Sequence, residues 1–233
     1  MRMICPLLLG ITLSCVGANA DQRPWVWTYG SAMMHPGEAE FEHYTTLQSP
    51  DWTRREHNLK TVHQAEVEIG MAERLDAAVY QVFSRTPGAP LDWDGYKLRL
   101  RWRLTENAAS FGRPILYLEH ANNATLTESG WEAKLLLSQP FGPLEVAVNP
   151  VVEFEGGETE FAVNGGFSLA TLHSLRLGGE LRASEGGVYA GPTLSHGGAG
   201  LWSALGVVWR LGEADPGETT HQVRLILGVR VKD

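Results

Sequence analysis

The sequence predicts an all-β fold: a single antiparallel up-and-down transmembrane β-barrel of about twelve strands, the even number that single-chain bacterial barrels have. Apolar residues recur at every second position through most of the chain, which is the period of a β-strand. Short connections alternate with generally longer, more polar ones, as periplasmic turns alternate with outer loops in such barrels. An export signal at the N-terminus is consistent with the same fold.

Residues 1–20 are predicted to be a cleaved signal peptide. Arg2 supplies the positive charge, a short apolar stretch follows, and Ala18-Asn19-Ala20 has the A-x-A form of a cleavage site. Cys15 could instead be a lipoprotein cysteine, but the residues before it match that signal poorly. Cys5 and Cys15 are the only cysteines, so the mature chain should have no disulfide and no thiol chemistry.

The composition argues against several functional classes. The formal net charge is −8, whereas a nucleic-acid partner requires an excess of Lys and Arg to neutralise phosphates. After the signal, no segment has the ~20 consecutive apolar residues of a spanning helix. The eight histidines show no zinc-ligand spacing, so we expect no metal site and no cofactor.

A predicted lead-in precedes the barrel. Residues 21–36 contain Trp25, Trp27 and Tyr29 and should form a periplasmic aromatic lead-in, lying at the interface or tucked into the barrel mouth. Residues 37–233 should form the barrel itself.

The clearest strand runs from Tyr96 to Leu104. Its apolar residues alternate with Lys97, Arg99, Arg101 and Arg103, so one face is wholly apolar and the other carries four cations. A helix would scatter these residues around its circumference. Similar or less regular alternation predicts the other strands at 38–44, 64–69, 75–83, 114–120, 131–137, 144–155, 160–169, 175–182, 188–195, 201–211 and 222–231.

The connections between these strands fall into two sets, and this places both chain ends on the periplasmic side. The short set is 70–73, 139–142, 171–173 and 196–199, with a somewhat longer member at 107–112. The outer set is 48–58, 85–95, 121–130 and 212–220, with shorter members at 155–158 and 184–187.

Alternation alone does not say which face of the barrel is apolar. A soluble periplasmic β-barrel binding protein would bury the apolar face, whereas a membrane barrel turns it toward lipid. The number of long strands favours the membrane barrel. So do aromatic residues near strand ends, which suit interfacial girdles: Trp27, Trp102, Trp131, Trp202 and Trp209. The expected partners are then outer-membrane lipid and the barrel-assembly machinery.

Several phrases also resemble a known group of proteins. They are Gly37-Glu38-Ala39-Glu40-Phe41-Glu42, His63–Gly70 followed by Glu73-Arg74-Leu75-Asp76, and Leu118-Glu119. In these the chain resembles uncharacterised proteobacterial outer-membrane barrels and is distantly similar to transporters of the phenol-degradation-pathway type. The resemblance implies the barrel fold, the outer-membrane location and a transport-type function. It carries over no catalytic residues.

The polar face predicts a charged lumen. Lys97, Arg99, Arg101 and Arg103 should form an inward ladder, paired with carboxylates of neighbouring strands. A second cluster should form where the last strand closes on the first. The predicted lumen network is Glu38, Glu40, Glu42, Glu66, Glu68, Lys97, Arg99, Arg101, Arg103, Glu119, Glu132, Lys134, Arg176, Glu180, Arg182, Arg224 and Arg230.

Two functions are compatible with such a lumen. It could be the constriction of a narrow channel that selects a small polar or charged solute. It could equally be a satisfied polar core that makes the barrel structural, because a small barrel is partly filled by its own side chains.

An outer-membrane lipid-processing hydrolase is the alternative from another class. His173-Ser174 and Ser195-His196 place a histidine beside a serine. A nucleophile needs its base within hydrogen-bond reach, and neighbours on a strand point to opposite faces. We therefore expect no catalytic residues and a protein that is not an enzyme.

Overall fold

The computed structural model describes residues 23–54, 58–106, 111–172, 174–198 and 200–231, and within them twelve strands form a closed antiparallel barrel. Each strand pairs with its neighbours in sequence, and the last closes on the first. The strands are β1 (Ala39–Ser49), β2 (Lys60–Ala72), β3 (Leu75–Arg85), β4 (Asp92–Arg103), β5 (Ile115–Asn123), β6 (Ser129–Phe141), β7 (Leu144–Glu155), β8 (Glu158–Ala170), β9 (Leu175–Ser184), β10 (Gly187–Gly198), β11 (Leu201–Leu211) and β12 (His221–Val231).

Closure of the barrel is complete along the seam between β1 and β12. Their register runs without interruption from Ala39 opposite Val231 to Ser49 opposite His221. A closed sheet has no free edge, so each strand is paired on both sides, as a membrane requires. The predicted fold class is confirmed.

The apolar residues of the strands face outward. On β4, Leu98, Leu100 and Trp102 are 44–48% exposed, whereas Arg99 and Arg101, between them, are 2% exposed. The same inversion recurs around the barrel, where large apolar side chains are exposed and carboxylates are buried. This is the reverse of a soluble β-barrel, because only lipid solvates such an outer surface favourably.

The connections follow the predicted asymmetry, including the two outer connections that the sequence predicts to be shorter. The turn between β2 and β3 is residues 73–74, and the opposite end carries longer connections such as 212–220. At that outer end, however, β7–β8 and β9–β10 are joined by two-residue turns, at 156–157 and 185–186. Among the described residues no helix is both long and apolar enough to cross a membrane.

The segment before β1 lies inside the barrel. Trp25, Val26, Trp27 and Tyr29 are buried, and their partners are lumen-facing groups of β7, β8, β9 and β12. The segment enters from the periplasmic end, where Gly37 N–H donates to the carbonyl of Gly70 at 3.0 Å. The lead-in thus lies in the lumen from Arg23 onward. The predicted signal peptide, residues 1–20, lies outside the described residues.

Candidate lumen site

The inserted segment, residues 23–36, is held by one carboxylate on the barrel wall. Glu180 of β9 accepts backbone N–H bonds from Val26 (2.9 Å), Trp27 (2.9 Å) and Thr28 (2.6 Å). Three consecutive backbone amides that point at one carboxylate form an anion-binding site. Here the segment provides the donors and the barrel wall provides the acceptor. Hydrogen bonds to a charged acceptor are among the stronger ones in proteins. Glu180 therefore fixes residues 26–28 of the segment against the barrel wall.

A second contact holds the neighbouring residue of the segment. The side-chain amide of Asn149 accepts from Tyr29 N–H at 2.6 Å and donates to the Tyr29 carbonyl at 3.0 Å. These two hydrogen bonds to the Tyr29 backbone are those that a neighbouring antiparallel strand would make, but here one side chain makes both. On the barrel wall, Gly206 leaves space for the segment, because a Cβ there would overlap the Val26 side chain.

The predicted basic ladder pairs with carboxylates of β2 and β3. Arg99 bridges Glu66 (2.8 Å) and Glu68 (2.5 Å). Arg101 pairs with Glu68 and with Asp76, the latter at 2.8 Å. Each of these side chains is at most 3% exposed, so each charge depends on its partners rather than on water. This cluster is a filled part of the lumen wall.

The inserted segment contributes its own cation to this wall. Arg23 lies 3.6 Å from Glu42 and donates to the Tyr44 hydroxyl at 2.7 Å. Its guanidinium also lies 4.0 Å from the centre of the Tyr29 ring. Lys134 of the wall has its ammonium group 5.2 Å from the centre of the same ring. The segment is thereby tied electrostatically to the barrel.

Two cavities lie on either side of the segment. The periplasmic cavity has a volume of about 210 Å³ and touches Ser31, Arg101 and Glu145. The outer one, which we call the outer vestibule, has a volume of about 340 Å³, and Trp27 and Tyr29 of the segment lie against it. Residues 23–32 contribute to the lining of both cavities, so the segment separates them.

One side of the outer vestibule is acidic. Glu119, Glu132, Glu153 and Glu160 stand opposite one another in cross-strand register on β5 to β8. Two of them are neutralised: Lys97 lies 2.7 Å from Glu119, and Lys134 lies 2.8 Å from Glu132. Glu153 and Glu160 have no Lys or Arg within 4.0 Å among the described residues.

The other side of the vestibule is basic. Arg182 of β9 and Arg224 of β12 have their guanidinium carbons 5.5 and 5.2 Å from the centre of the Trp27 ring. Arg182 donates to Gln222 at 3.1 Å, and Arg224 donates to Thr46 at 2.8 Å and to the Val26 carbonyl at 3.2 Å. The sequence could predict that both arginines face inward, but not that the segment would bring Trp27 against them.

The second predicted cluster does not form as expected. Of the pairs between the last strands and the first, the structure forms Arg230 with Glu38, at 3.3 Å. Arg176 pairs instead with Glu145 at 3.3 Å. Two other predicted members bind the inserted segment instead: Glu180 accepts from the backbone of residues 26–28, and Glu42 lies 3.6 Å from Arg23. Glu40 accepts from the Trp202 indole at 2.8 Å.

Two of the predicted interface aromatics are wrong. Trp27 is buried in the inserted segment, and Trp202 points into the lumen, where Gly228 leaves space for its indole. The alternation of β11 already indicates this for Trp202, because Leu201 and Leu205 are exposed on the outer face. The other three, which are Trp102, Trp131 and Trp209, are exposed on the outer wall, where an interfacial role stays a prediction.

The serine–histidine pairs do not form a catalytic arrangement in the part of the chain described. His173 lies outside the described residues; Ser195 is buried, whereas His196, next to it on β10, is exposed. The outer wall instead brings together His43, Thr45 and His63, whose polar atoms lie 3.3–3.4 Å apart. No Asp or Glu is bonded to this trio among the described residues, so no acid orients an imidazole there.

An apolar outer wall, a charged lumen and a closed strand order together define an outer-membrane β-barrel. No family model matches the sequence, and no curated protein matches it. Among solved structures, the chain is similar to "KdgM porin" (12% identity, 83% of this chain and 99% of that one, TM-score 0.59). It is also similar to the COG4313 outer membrane channel from Pseudomonas putida F1 (9% identity, 93% and 100%, TM-score 0.60). At these identities the likeness is one of fold.

Proposed function

We propose that this barrel is a channel for small polar or charged solutes whose lumen is closed, in the state described, by residues 23–36. The observation that carries the proposal is the set of three backbone N–H bonds from residues 26–28 to Glu180. A segment that only filled space would need no charged anchor such as Glu180 at residues 26–28. The similar structures named as a porin and a channel support a transport-type function.

The anchor is suited to reversible closure. The segment is not a strand of the barrel, so releasing it breaks no pairing in the wall. Besides the bonds to Glu180 and Asn149, Arg23 contacts Glu42 and Tyr44, and three hydrogen bonds to backbone carbonyls join the segment to the wall. The rings of Trp27 and Tyr29 also pack against side chains of the wall. At its other end the chain turns at Gly37, whose φ of 83° is one that glycine adopts without strain. The segment can therefore swing on Gly37 while the barrel stays intact.

A structural barrel is the competing function. In that case the segment is a permanent core, and its charges are simply satisfied. The two functions predict different outcomes when the anchor is weakened: a gate opens, whereas a permanent core only becomes less stable.

The test is single-channel recording in planar bilayers with Glu180→Gln. Gln keeps the size but removes the charge, and its NH₂ group would face amides that also donate. We expect the wild type to conduct rarely and E180Q to open at least roughly tenfold more often, because a lost charged hydrogen bond is worth about 1.5–3 kcal/mol. Glu218→Gln, in an outer loop and paired with Arg210, is the matched control and should behave as wild type.

A disulfide lock makes the test specific to the segment. Val26→Cys and Gly206→Cys place two thiols where the wall meets the segment, and the predicted mature chain has no other cysteine. In the E180Q background, oxidation should abolish the openings and reduction should restore them. A folded E180Q barrel with wild-type conductance, or openings that persist in the oxidised lock, would refute the proposal.

A further inference from the structure

The outer vestibule contains two arginines that no carboxylate of the described chain contacts. Arg182 and Arg224 have no Asp or Glu oxygen within 4.0 Å in the described residues, and their hydrogen-bond acceptors are neutral: an amide oxygen, a hydroxyl and a carbonyl. Partly enclosed cations of this kind favour an anionic partner. Other cations of the lumen do have a carboxylate within 4.0 Å: Arg23, Lys97, Arg99, Arg101, Lys134, Arg176 and Arg230.

The two arginines also have N–H donors without acceptors, which likewise favours an anionic partner. A guanidinium carries five N–H donors, and Arg182 makes one hydrogen bond while Arg224 makes two. The Nε of Arg182 is buried with no acceptor. Glu180 would be the nearest candidate by sequence, but its carboxylate is occupied by the backbone of residues 26–28. Within the described residues, Glu180 therefore forms no ion pair with Arg182 while it holds the segment.

The size and lining of the vestibule limit what the anion can be. A volume of about 340 Å³ accommodates a solute of sugar size, and the walls are rich in carboxylates, hydroxyls and amides. Glu160 faces the same space, and its carboxylate would repel a second negative charge. The lining therefore favours a polar solute with one negative charge over a dianion.

We propose that the outer vestibule binds small polar monocarboxylates, with the carboxylate held by Arg182 and Arg224 above Trp27. This names the solute class of the channel and so rests on the proposed function. A carboxylate matches the planar fork of a guanidinium, which can donate to it through two N–H groups. Binding there would place the solute against the segment that must move for transport.

The test is isothermal titration calorimetry on the purified full-length barrel in detergent. The probes are D-glucuronate, D-glucose and D-glucosamine, which are similar in size and differ in charge, with D-glucose 6-phosphate as the phosphate arm. We expect glucuronate to bind at least roughly tenfold more tightly than the other three, since charge-assisted hydrogen bonds are stronger than neutral ones. Tighter binding of glucosamine or of the phosphate, or no difference among the probes, would overturn the proposal.

Variants assign the binding to the two arginines. Arg182→Gln and Arg224→Gln should each weaken glucuronate binding at least roughly tenfold, whereas Arg210→Gln, which removes the partner of Glu218 in an outer loop, should leave it unchanged. Heat-modifiable migration on gels shows that each variant is folded, and unchanged binding in both folded vestibule variants would overturn the assignment. The calorimetry uses the closed wild type and therefore does not depend on opening of the gate. Glucuronate binding combined with an E180Q variant that does not open would refute only the gate. Openings of E180Q combined with no glucuronate binding would refute only the solute class.

Discussion

Replacing Arg99 by Ala tests the buried charge network most directly. The Arg99 side chain is 1% exposed and contacts Glu66 at 2.8 Å, Glu68 at 2.5 Å and the Tyr80 hydroxyl at 2.6 Å. Removing one member of a buried ion pair costs about 3–5 kcal/mol, because the remaining charge has lost its partner. Two features bring the expected loss to the lower end: Glu68 keeps Arg101, and Glu66 keeps the Tyr44 hydroxyl. We expect about 3 kcal/mol.

The measurement is equilibrium unfolding in guanidinium with lipid vesicles present, followed by tryptophan fluorescence. Arg210→Ala is the matched control, since Arg210 pairs with Glu218, which is 38% exposed. This variant should lose less than about 1 kcal/mol of unfolding free energy. Arg99→Ala combined with Glu66→Gln should recover part of the loss, because the second change removes the stranded charge. An R99A barrel within about 1 kcal/mol of wild type would refute the reasoning, as would an R210A loss of equal size.

Two further substitutions test the packing and the orientation of the wall. Gly228→Ala adds a Cβ that overlaps the Trp202 indole and should cost about 1–3 kcal/mol in the same unfolding assay, whereas Gly198→Ala, with nothing within 4 Å, should be near neutral; equal losses would contradict the packing. Leu98→Arg places a cation on the lipid face near the middle of β4 and should cost about 2–4 kcal/mol, whereas Leu91→Arg, just before β4, should cost about 1 kcal/mol or less; no difference between them would mean that this face does not meet lipid.

The barrel could be predicted from the sequence because its cause is local. The alternation of apolar and polar residues defines the two faces of each strand within about ten residues. In a membrane barrel the apolar face meets lipid and the charged face lines the lumen. Arg99 and Arg101 could therefore be assigned to the lumen, and Glu66 and Glu68 to a nearby strand. Individual partners were harder to predict, because they depend on register. Asp76, which pairs with Arg101, lies at the start of β3, where no alternation of charge marks it as a lumen residue.

The inserted segment could not be placed from pattern alone, because its residues have no sustained period. Trp25, Trp27 and Tyr29 do alternate, but no partner strand sets their faces, and the contacts that hold them come from residues more than a hundred positions away. The local signals were aromatic content and a position just before the first strand. Trp27 was consequently assigned to the membrane interface, whereas the fold of the segment places its ring against two arginines of the lumen.

The position of Glu180 also explains why a single substitution is a fair test of a gate. If the three amide bonds of residues 26–28 favour the closed state over the open one by about a thousandfold, the bias is about 4 kcal/mol. Losing the charge of one acceptor weakens all three bonds together, by about 1.5–3 kcal/mol in total, which raises the open fraction roughly ten- to a hundredfold. The segment is not a strand of the barrel, so the strand pairing of the wall does not enter that difference. A rise in the open fraction that the Val26–Gly206 cysteine lock reverses is therefore the signature that separates a gate from a core.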